Sequence, residues 1–174
     1  MRQPSDTGTT RRVDRGWVLA AGVPLLASAV LGVVAGVVWW VVAPTAEVVV
    51  VRGLVVAPDA PELEAAQDVT FVVIVMVAGL LGGGWLAAAP GALPSLRALG
   101  VVAGGVVGSA VAWGTGALLG PSSVAAQQAA GADPLQSPVA LSAYGVLGLW
   151  PAVAATVGFA GLLTTGLLGG WQQR

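Results

Sequence analysis

Long runs without a charged residue alternate along this chain with shorter polar segments. The runs extend from Trp17 to Val42 and over about 69–89, 98–119 and 141–168. A helix needs ~20 apolar residues to cross a ~30 Å hydrocarbon core, and in lipid it satisfies all of its own backbone hydrogen bonds. The pattern therefore predicts an all-α membrane protein, a four-helix transmembrane bundle over residues 17–174, with connections 43–68 and 120–140 on one side. Residues 1–16 are polar, lack an apolar period and are expected to form a disordered tail.

The basic residues orient the bundle. Arg2, Arg11, Arg12 and Arg15 precede the first run, Arg97 lies in the short second connection and Arg174 ends the chain, leaving only Arg52 in the long first connection. Because basic residues favour the cytoplasmic side, both termini are expected inside and 43–68 and 120–140 outside. Glu47, Asp59, Glu62, Glu64, Asp68 and Asp133 all fall in those outer segments. The same topology gathers Trp17, Trp85 and Trp171 at the inner interface and Trp39, Trp40, Trp113 and Tyr144 near the outer one, as aromatic belts do. The first run is too long for a signal-peptide core and lacks a small-x-small cleavage site after it, so it is expected to be retained.

Within the runs the clearest pattern is of small residues. Gly100, Gly104, Gly108, Ala112, Gly116 and Gly120 recur at every fourth position, as do Ser28, Gly32 and Gly36, Gly79 and Gly83, and Ala154 and Gly158. Such rows allow helix backbones to approach closely in lipid. A four-residue step advances 400° around a helix, so the long row drifts by ~40° per step. The third helix is therefore expected to be central and to touch different neighbours near its two ends; self-association is the alternative use of the row. Trp150 and Pro151 stand some ten residues into the fourth run, where a proline-induced kink with the ring filling the gap is expected. A ligand-contacting aromatic is the alternative.

The first connection holds two valine-rich stretches around Arg52 and Gly53, which predict a small external β-hairpin. Asp59, Pro61 and Glu62 then resemble a helix start, so the second helix is expected to begin about two turns before the membrane. Glu62, Glu64 and Asp68 would ride on that extension as a solvated acidic face or, alternatively, a site for a divalent cation or basic partner. In the third connection 125–130 could form a helical turn.

Composition narrows the chemistry. The chain of 174 residues is 56% hydrophobic and 9% charged, with formal charge -1, and it has no cysteine, histidine or lysine. Thiolate and imidazole chemistry and Schiff-base formation are thereby excluded. No catalytic residue, metal site or cofactor is expected, and no nucleic-acid partner.

Two patterns carry a family resemblance. Glu64, Asp68, Thr70 and Phe71 form E-x-x-x-D-x-T-F, and Pro138, Leu141, Ala143, Tyr144, Gly145, Leu147, Trp150 and Pro151 form P-x-x-L-x-A-Y-G-x-L-x-x-W-P. From its first helix onward the chain resembles an actinobacterial family of small four-helix membrane proteins classed as a domain of unknown function. The resemblance implies a bacterial plasma membrane, supplies no catalytic residues, and singles out Asp68, Tyr144 and Trp150 without giving them a role. The expected function is a non-catalytic subunit or assembly factor of envelope machinery, partnered by a membrane protein or by further copies of itself. The alternative is a small transporter or channel acting as an oligomer; against it, no run carries an ionisable side chain of the sort that couples ions.

Overall fold

The computed structural model describes residues 7–52, 54–56, 60–88 and 94–171. Its four helices long and apolar enough to cross a membrane are α1 (Thr7–Val42), α2 (Ala60–Ala88), α3 (Pro94–Leu119) and α5 (Leu149–Trp171), with a short α4 (Val124–Ala129) outside the bundle. Helix α1 begins at Thr7 and not at Trp17, so the backbone of residues 7–16, expected to be disordered, is helical. Helix α2 starts at Ala60, well before its apolar run, as the sequence predicts. The proposed cap at Asp59 lies outside the described residues.

The fourth span departs from expectation. The chain is irregular at Leu141, makes a 3-10 turn over Tyr144–Gly148 and becomes α-helical only at Leu149. Pro151 therefore falls in the first turn of α5, where a missing N–H costs no intrahelical bond. It helps to start a helix and does not kink the middle of one.

At one end of the bundle the two long connections meet. Strands β1 (Glu47–Val51), β2 (Leu54–Val56) and β3 (Leu135–Gln136) form an antiparallel sheet in the order β2-β1-β3. The hairpin is the one predicted, with Arg52 turning at φ 54°, while Gly53 lies outside the described residues. Strand β3 has only two residues, too few to show the alternation that marks a strand in sequence.

In the bundle α1 packs against α3, α2 against α5, and α3 against α5. Small residues set the first two contacts. A Cβ at Gly32 would lie 2.5 Å from the Gly108 carbonyl oxygen, and one at Gly36 2.5 Å from that of Ala112. In the second pair a Cβ at Gly79 would lie 2.9 Å from the Trp150 carbonyl oxygen and one at Gly83 2.7 Å from that of Ala154. Backbone thus meets backbone, with dispersion contacts and lipid entropy replacing the hydrophobic effect as the cause of association.

The long row on α3 does not divide between neighbours as its drift suggested. Gly100 meets Ala21 and Pro24, Gly104 meets Ser28, Gly108 meets Gly32, and Gly116 meets Trp39, so α1 lines the row from end to end; only Gly120 leaves it, facing Val139. The every-fourth ridge of a helix is inclined by ~26° to its axis, and α1 lies along that inclined ridge. Helix α3 also contacts α2 and α5, so its central place stands, through the flank of the row and not its two ends.

Candidate functional site

Trp150 joins the two helix pairs. It is 1% exposed, and its ring edge would touch a Cβ at Gly108 at 2.8 Å, while Gly82 faces its indole nitrogen. The next residue, Pro151, rests on Gly105, where a Cβ would lie 2.9 Å from the proline Cα. Glycines on α2 and α3 thus open the slot that this ring fills, which is the packing role the sequence favours. Ser109, fully buried on α3, has no partner for its Oγ among the described residues.

At the sheet end, Asp68 and Glu64 face the entry to the fourth span. Asp68 accepts from the Ser142 N–H at 2.9 Å and from the Ala143 N–H at 3.0 Å, and Glu64 accepts from the Ser142 hydroxyl at 3.2 Å. Ala143 immediately precedes the 3-10 turn and has no side chain able to cap it. A carboxylate from α2 therefore satisfies the two amides that lead into the turn, through charge-assisted hydrogen bonds. Asp68→Ala is expected to cost about 1 kcal/mol of stability, the net worth of an ordinary hydrogen bond, read as a lower unfolding midpoint in detergent, with Asp68→Asn losing less because it keeps an acceptor. An unchanged midpoint for Asp68→Ala would remove the anchoring role.

Beside them is Gln67, which sequence reasoning missed. It is 3% exposed. Its amide donates to the Pro44 carbonyl at 2.9 Å and the Pro138 carbonyl at 3.5 Å, and its side-chain oxygen accepts from the Ala140 N–H at 3.2 Å. Its backbone carbonyl accepts from Trp39 Nε1 at 3.1 Å. One side chain thus ties the end of α1, the start of α2 and the third connection together. Trp39 is fully buried, edge-on to Phe71 with ring centroids 4.9 Å apart. It belongs to the core and not to the outer aromatic belt expected of it. Gln127 repeats the device in the cap at the sheet end, donating to the Ser122 and Gln136 carbonyls and accepting from the Gln136 N–H.

No family model, curated protein or solved structure matches this chain. The likeness to the actinobacterial family rests on its two residue patterns alone.

The structure gathers the residues of those patterns around one junction. Asp68 holds the Ser142–Ala143 backbone and Glu64 the Ser142 hydroxyl, Tyr144 is 60% exposed and lies edge-on to Trp113 at 5.7 Å, and Trp150 with Pro151 locks the first turn of α5 onto α3. Both patterns thus read as the hardware that seats the last span. Among the described residues no three carboxylates form a group that could hold a metal ion. The sequence does contain a signal for Gln67. It begins the row Gln67, Phe71, Val75, Gly79 and Gly83, all buried, and a polar residue in register with a packing face is one that needs partners.

Proposed function

We propose that this chain is a multi-pass plasma-membrane protein of an actinobacterium, with both termini cytoplasmic, working as a non-catalytic subunit or assembly factor of envelope machinery. The observation that carries this reading is the outward face of the hairpin. Val49 pairs with Val56 and Val51 with Leu54, which puts four apolar side chains on one face of the ribbon. All four are at least 50% exposed, while Val48 on the other face is buried. Strand β2 is also the edge of its sheet, with main-chain groups positioned to pair with another strand. An apolar face beside an open edge suits strand addition by a partner protein. The arginine bias supports placing this cap outside the cell, where envelope machinery works.

Affinity purification of the tagged full-length chain from native membranes in mild detergent, against an untagged control, is expected to recover one envelope protein near one-to-one. The double substitution Val49→Asp and Leu54→Asp should release that protein while leaving the level of the chain unchanged. Recovery of the chain alone, or a partner indifferent to the double substitution, would overturn the proposal.

A further inference from the structure

We draw no further inference here: the strongest candidate, the apolar cavity of about 250 Å³ between α1 and α2 beside the Trp150 ring, carries none because nothing in the structure shows what fills it.

Discussion

Gly36→Leu should unfold the bundle at far milder denaturing conditions than the parent chain, whereas Gly22→Leu on the same helix should leave it unchanged. A Cβ at Gly36 would lie 2.5 Å from the Ala112 carbonyl oxygen, 2.6 Å from Thr115 Cβ and 3.1 Å from the Gly116 nitrogen. Two of those atoms are backbone, and no rotamer change can move them aside. The only relief is separation of α1 from α3, which gives up contact along the row from Gly100 to Gly116. Overpacking a core typically costs about 1–3 kcal/mol, and a clash against fixed backbone belongs at or above the upper end. A Cβ at Gly22 meets nothing within 4 Å, and a leucine there would face lipid at little cost. Unfolding of both variants in mixed detergent micelles, followed by circular dichroism, checks the contrast. Equal midpoints for the two would mean that the α1–α3 contact does not hold the bundle together.

Trp150→Ala should cost about 3–5 kcal/mol, the range for emptying a large aromatic site. The ring sits where α2, α3 and α5 converge, against Gly82 and Gly108, and the cavity between α1 and α2 already abuts it. Truncation would extend that cavity into the centre of the bundle instead of letting the helices collapse, because backbone contacts at Gly79 and Gly83 hold α2 and α5 at their present spacing. Trp150→Phe keeps much of the wedge and should lose less. The same unfolding assay reads both, and an alanine variant as stable as the parent would show that the slot closes on its own.

What the sequence made legible follows from physics that acts locally. Bilayer thickness writes the four spans into the chain as uncharged runs, and close backbone approach writes itself as glycine at every fourth position. Both could be read, and Gly32, Gly36, Gly79 and Gly83 lie at helix contacts as expected. The pairing of α1 with α3 could not be read, because a small-residue row tells that a neighbour is near without naming it. The start of α5 was misplaced because Leu141 to Gly148 is as apolar as a helix. What stops it from being α-helical is Pro151 and the carboxylate anchor of Asp68, a contact made across 74 residues of chain. Asp68 itself was legible as a position of interest, yet its use as an anchor emerges only once Ser142 and Ala143 are brought to it. Gln67 was missed for a similar reason, since its partners Pro44, Pro138 and Ala140 come from two other segments.

The pairing of helices also bears on how the protein is made. A ribosome delivers α1, α2, α3 and α5 in that order, yet the close glycine contacts join α1 to α3 and α2 to α5. The first two spans enter the membrane with their small-residue faces uncovered, and the first pair can close only after the third has been threaded in. The second must wait for the last. Successive helical hairpins cannot mature one after another along this chain; its two pairs are laced together, and the lace is drawn tight only when α5 has joined the other three spans.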